Sequence, residues 1–222
     1  MAEENIFKDQ DSFRITKNIL MSHKTLLIFL GIYLPVQIVG ILAVLVWGGD
    51  QGLLWDVPVL LAVHSLANSR LDSIAVFLTQ WGKFENIFPI CVLISVIFLI
   101  QKQWKKFSYV IFTALGSAFI SHTGKVLIHR IRPHLWISKA PELSYAFPSG
   151  HSMTSMTLVA ILLILSWYLP QKWLVLTLGS LYILLIAWTR LYLGVHYPSD
   201  IIAGWMLAIA WAITMNLIIK PI

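Results

Sequence analysis

Charge is what this sequence has least of. Asp, Glu, Lys and Arg make up 12% of 222 residues, against 58% hydrophobic ones, and mean hydropathy is +0.79. A soluble domain carries about 25% charged residues. So few charges cannot coat a water-soluble protein of this size, and lipid must be the solvent for most of the surface. Cysteine is nearly absent: Cys91 is the single one. That excludes an intrachain disulfide and a thiolate metal cluster, and Cys91, inside an apolar run, reads as a packing residue. No carboxylate cluster suited to Mg²⁺ occurs among the ten Asp and Glu residues, so no metal and no cofactor are expected. Long-period repeats and low-complexity tracts are also missing. No cleavable signal peptide is expected, because the first apolar run starts near Thr25 after a mixed-charge segment and is long enough to span. The net charge of +6 is scattered between apolar runs. Residues flanking membrane spans are placed that way, so nucleic acid is not an expected partner.

What the chain does have is a series of long apolar runs. A polar N-terminal tail over residues 1–24 is expected to precede a single membrane domain over 25–222. Spans are predicted over 25–47 (with a possible kink at Pro35), 84–101, 107–128, 151–169, 173–190 and 198–219. Residues 50–72 read as a short interfacial segment, followed by a lead-in helix before residue 84. The predicted fold is therefore all-α, a six-span transmembrane helix bundle. Six spans put both termini on one side. That side carries Lys8, Arg14, Lys17, Lys24, Lys102, Lys105, Lys106, Lys172 and Lys220; the other carries Arg70, Lys83, Lys125, Arg130, Arg132, Lys139 and Arg190. The positive-inside rule then places the termini in the cytoplasm of a multi-pass cell-membrane protein.

Three polar stretches interrupt this pattern where charge is costly. Lys125 and Arg132 are seven residues apart, close to two helical turns, and Pro133 is expected to end the helix and free Arg132 to turn. A lysine point charge and an arginine fork suit a phosphate dianion. Pro148-Ser149-Gly150-His151 precedes the fourth span. Ser149 is a natural N-cap, the helix N-terminus favours an anion, and Gly150 lets it approach. Third, Arg190, His196 and Asp200 sit between the last two spans. Asp200, four residues after His196, could hold one imidazole nitrogen and leave the other as a nucleophile. Taken singly, each stretch has an ordinary explanation: snorkelling cations, a capped helix, an interfacial loop. Together they lie on one face of the six-span layout.

Lys125 with six residues before Arg132-Pro133, then Pro148-Ser149-Gly150-His151, then Arg190 with five residues before His196 and three more before Asp200, resembles the three-part signature of the type 2 phosphatidic acid phosphatase (PAP2) family, whose superfamily includes vanadium haloperoxidases. The signature covers residues 125–200, and the six-span layout is similar to bacterial membrane members. One departure is Thr189, where the family usually has serine; the hydroxyl is kept. The resemblance implies a lipid phosphatase. His196 would form a phosphohistidine, Asp200 would orient it, and His151 would protonate the leaving alkoxide and then activate water. Lys125, Arg132, Ser149, Gly150 and Arg190 would hold the phosphate. His122, His129, His134 and Arg130 take structural or supporting roles by default. The expected partners are a lipid phosphate substrate and membrane lipids, with the active site on the outer face. Undecaprenyl pyrophosphate, phosphatidylglycerophosphate and phosphatidate fit alike. A vanadate-dependent haloperoxidase would use the same anion cradle, but those enzymes are soluble. A non-catalytic transporter would leave the His196–Asp200 spacing unexplained.

Overall fold

The computed structural model of the protein describes residues 23–47 and 52–222. Most of the expected polar tail, and the Gly48-Gly49-Asp50 break, lie outside them. Among the described residues every regular element is helical. Helix α1 runs His23–Val46. Its turn at Phe29–Tyr33 is widened to a π-turn just ahead of Pro35. Proline lacks an N–H and crowds the carbonyl four residues back, and a wider turn absorbs that misfit without ending the helix.

The segment read as interfacial is two short helices, α2 (Asp56–His64) and the start of α3 (Ser69–Gln80). Asn68 separates them: its side-chain oxygen accepts from the N–H groups of Arg70 and Leu71, an N-cap for α3. Nor does α2 simply lie on a surface. It packs against α7 (Lys172–Tyr192) and α8 (Pro198–Ile219), and Asp56 and Leu60 are fully buried. Helix α3 passes into α4 (Phe84–Ile100) with a bend of 43°. Helix α5 is Trp104–Ile128 and α6 is Gly150–Leu165.

By length and composition, α1, α5, α7 and α8 can cross a membrane, and α3 with α4 makes a fifth span if the bent pair is one crossing. Six separate spans do not emerge by this measure. The difference lies in α6, which has 16 residues because the chain turns off after Leu165 although the apolar run continues to Leu169. Such a helix rises about 24 Å, less than a hydrocarbon core of about 30 Å. Helix α6 is central, packed against α4, α5, α7 and α8. A hydrogen bond of 2.7 Å ties Thr157 on α6 to Ser117 on α5. One core cluster joins Ile87 and Cys91 of α4, Tyr109, Val110 and Ala114 of α5, Leu158 and Ile161 of α6 and Met215 of α8. Cys91 is thus the packing residue expected. The outer faces show large apolar side chains, among them Val44, Ile100, Phe119 and Leu184, as a lipid-facing surface requires.

The antiparallel run of α5, α6, α7 and α8 brings the C-terminal ends of α5 and α7 beside the N-terminal ends of α6 and α8. At that end α8 presses on the first turn of α6. A Cβ on Gly204 would lie 2.7 Å from the Ser149 carbonyl oxygen. Gly204→Ala should therefore destabilise the protein by about 1–3 kcal/mol. Thermal unfolding in detergent would show a lowered midpoint; an unchanged midpoint would mean that α8 has room to back away.

Candidate active site

Helix α5 ends four residues earlier than the Arg132 boundary read from sequence. His129 takes a left-handed conformation, φ 53°, and stops it at Ile128. The following residues belong to no regular element. Arg130 and Arg132 turn inward and are buried, while Ile131 faces out. Lys125 and Arg132 therefore do not share a helical face. They meet because the chain beyond α5 folds back: Lys125 Nζ and Arg132 Nη2 both donate to the Tyr145 carbonyl, at 2.6 and 3.2 Å.

Ser149 caps α6, its Oγ accepting from the Ser152 N–H at 3.5 Å. Its own N–H donates to the Asp200 carbonyl at 3.0 Å, which ties the α6 start to the α8 start. Gly150 faces Lys125: a Cβ there would stand 3.8 Å from Lys125 Cε. His196 lies in the tight connection between α7 and α8 and is fully buried. Its Nε2 is 3.0 Å from Arg132 Nη1, and its Nδ1 is 3.4 Å from Asp200 Oδ2. Arginine only donates, so Nε2 must be the accepting nitrogen and Nδ1 carries the proton, beside Asp200 but without a hydrogen bond to it. Burial first, then the charges of Arg132, Lys125, Arg190 and His151, press the imidazole well below its ordinary pKa. The ring is neutral, with a lone pair on Nε2. Asp200 is held by the backbone N–H of Tyr197, which donates to Oδ2 at 2.8 Å, and by Arg130 on Oδ1.

The structure thus brings together all eight residues singled out from the sequence. It adds one at their centre. Glu142, in the loop between α5 and α6, receives Arg132 Nη2 on Oε2 at 2.8 Å and Arg190 Nη2 on Oε1. His151 Nδ1 is 3.6 Å from Oε1. Burial alone would raise the Glu142 carboxyl, but Arg190, His151, Arg132 and Lys125 outweigh it and hold it at about 2. The site is a cluster of cations and two histidines closed around one internal carboxylate. Sequence reasoning missed Glu142, although it is the lone acid between Pro133 and Pro148. It also missed Asp56, an acid inside an apolar stretch, which is fully buried and paired with Arg130 at 2.8 Å.

Two open clefts, of about 400 and 450 Å³, flank this cluster and share Arg132 and His134. One includes Glu142, Trp136 and Ile137, the other Leu53, Leu54 and Tyr197. Leu54 and Ile137, one in each cleft, leave their side chains almost wholly exposed.

Comparison with known proteins places this geometry among relatives. The PAP2 superfamily profile matches residues 106–221. An undecaprenyl-diphosphatase of Sulfolobus acidocaldarius is 28% identical over 166 residues, covering 72% of this chain and 76% of its own length. Phosphatidylglycerophosphatase B of Bacillus subtilis is 27% identical over 146 residues, 63% of this chain and 70% of its own. The fold is similar to the crystal structure of a transmembrane PAP2-type phosphatidylglycerolphosphate phosphatase from Bacillus subtilis, with a TM-score of 0.73 at 24% identity, covering 86% of this chain and 98% of that one.

The Glu142 carboxylate has a depressed pKa, so its hold is complete above the ordinary carboxylate value of about 4.3 and is lost only as pH falls through about 2. It is in place throughout the neutral range, where it occupies the arginines. Glu142→Gln should let orthophosphate bind about tenfold more tightly, or ~1.4 kcal/mol, by calorimetry at pH 7. Unchanged affinity would show that anion and carboxylate do not compete.

Proposed function

The chain belongs to the PAP2 superfamily, and on that premise we propose that it is an integral membrane lipid phosphatase working through a phosphohistidine. The observation that carries this reading is the occupant of the site. Two buried arginines and His151 converge on a carboxylate beside a neutral, buried His196. A phosphate dianion offers the same acceptors with more charge, and would take the carboxylate's place.

In the proposed reaction His196 Nε2 attacks phosphorus. The P–N bond forms as the bond to the leaving oxygen breaks, and His151, which must be an imidazolium once the phosphate dianion lies beside it, gives that oxygen its proton and becomes neutral. The imidazole then bears a positive charge, which Asp200 balances at Nδ1. His151, now a base, takes a proton from water; the water oxygen bonds to phosphorus as the P–N bond breaks, and phosphate and neutral His196 are released. Arg132, Arg190 and Lys125, with backbone N–H groups at the α6 start, stabilise charge on the equatorial oxygens. Cations from side chains do this work, so the proposed mechanism is metal-independent.

The substrate proposed is a lipid phosphate: a prenyl pyrophosphate, phosphatidylglycerophosphate or phosphatidate. Relatives named for the first two support that class. So do Leu54 and Ile137 at the cleft mouths, suited to a leaving group that stays in the bilayer. Selectivity among headgroups would lie in residues 52–57 and 132–142. We further propose six crossings, counting α3–α4 as one and α6 as another, with cytoplasmic termini and an outward-facing site.

Purified protein should release phosphate from at least one member of a panel of prenyl pyrophosphate, phosphatidylglycerophosphate, phosphatidate and lysophosphatidate in excess EDTA, and vanadate should inhibit it. Activity lost in EDTA and regained with Mg²⁺ would overturn the metal-free route. His196→Ala should cut kcat by about 10³-fold or more; undiminished turnover would remove His196 as nucleophile.

A further inference from the structure

Arg130 lies within the first motif but at none of the positions the signature specifies, yet it is among the largest fully buried side chains. Its Nη2 donates to Asp56 Oδ2 at 2.8 Å, and its Nη1 donates to Asp200 Oδ1 and to Ser199 Oγ, the latter at 2.7 Å. The guanidinium lies 4.1 Å from the centre of the Tyr197 ring. Asp56 accepts three more bonds: from the Ser199 N–H at 3.0 Å, the Ser199 hydroxyl at 2.6 Å and the Leu53 N–H at 2.9 Å. Both carboxylates are as buried as the arginine. The chain approaches so closely here that a Cβ on Gly52 would stand 2.7 Å from Asp56 Cβ and 2.9 Å from the Tyr197 ring.

Burying one cation and two anions is costly, and anchoring the start of α8 does not need two carboxylates. The electrostatics of His196 explain the second. The ring already faces Arg132, Lys125 and Arg190, and those cations oppose any positive charge on it. Asp200 is the carboxylate at its Nδ1. If Arg130 were paired with Asp200 alone, it would cancel that carboxylate's charge. With Asp56 on its other nitrogen, the trio keeps a net negative charge, and Asp200 presents it to the ring.

We infer that Arg130 and Asp56 are positioning residues for phosphoryl transfer. Arg130 pins Oδ1 of Asp200 so that Oδ2 faces His196 Nδ1, and Asp56 takes up the arginine's charge so that Asp200 remains an effective anion when the ring becomes cationic. This rests on the histidine mechanism proposed above. It gives the α2 segment, which precedes every motif residue in the chain, a part in the chemistry.

The test uses the full chain, purified in detergent, with whichever lipid phosphate the wild type hydrolyses. It measures kcat, KM, the rate of phosphoenzyme formation after acid quench, and the thermal midpoint. Asp56→Asn keeps the shape and an acceptor for Ser199 but removes the charge. It should lower kcat and the rate of phosphoenzyme formation by about 10–100-fold, the scale of lost outer-shell partners, with KM within about twofold. The double variant Asp56→Asn with Arg130→Gln removes the uncompensated cation while the glutamine amide keeps a donor for Asp200 Oδ1, and should recover about tenfold over the single variant. A purely structural pair predicts the reverse, a double variant at least as slow as the single one, and that result overturns the inference. So does an Asp56→Asn protein whose kcat, corrected for folded fraction, equals that of the wild type. A wild type without phosphatase activity, or an active His196→Ala, is a separate outcome: it sinks the histidine mechanism and the inference with it.

Discussion

Two guanidinium groups, Arg130 and Arg190, are buried at one end of a bundle that has little charge to spare. Without bulk water around them, each needs a carboxylate within the protein. The carboxylates that answer come from far along the chain: Asp56 and Asp200 for Arg130, Glu142 for Arg190. Satisfying these cations draws α2, the α5–α6 loop and the starts of α6 and α8 to one point. The apolar packing of the bundle brings helices side by side, but it is non-directional. The directional part of the fold, the part that sets atoms within hydrogen-bond distance, comes from these ion pairs.

The two carboxylate systems differ in how they are held. The Asp56–Arg130–Asp200 trio is sealed, fully buried, and bonded to backbone groups at the start of α8. Glu142 is partly exposed, sits on a loop beside an open cleft, and is held by side chains of Arg132 and Arg190. One arrangement suits a permanent frame. The other suits a place that another anion can take. Under the function proposed, substrate enters a site whose cations are already oriented, so little reorganisation accompanies charge development on phosphorus.

Much of the site was legible because its residues are expensive. His196, Asp200, Arg190, Lys125 and Arg132 stand out against apolar runs, and their spacing gave both the resemblance and the grouping at one end of the bundle. The α8 boundaries and the N-cap at Ser149 were legible for local reasons, a proline at the helix start and a capping side chain. The span end at Ile128 was legible too, but the helix expected to continue from there to Arg132 does not form, because His129 is left-handed and stops it. Glu142 and Asp56 were missed because an isolated acid gives no sign of its partner when that partner is 48 or 74 residues away.

By itself, then, the sequence determined that this chain is suited to lipid, that it is helical, and that its costly polar residues gather in three stretches. Those follow from composition and local spacing, which short-range sterics and transfer energies decide. Only the tertiary structure decided which acids compensate which buried cations, that Arg130 and Arg132 reach inward from irregular chain beyond α5 rather than from a helix, and that α6 is a short central helix starting at the site. Those are pairings across the chain, chosen by the need of every buried charge to find its opposite, and no local pattern encodes them.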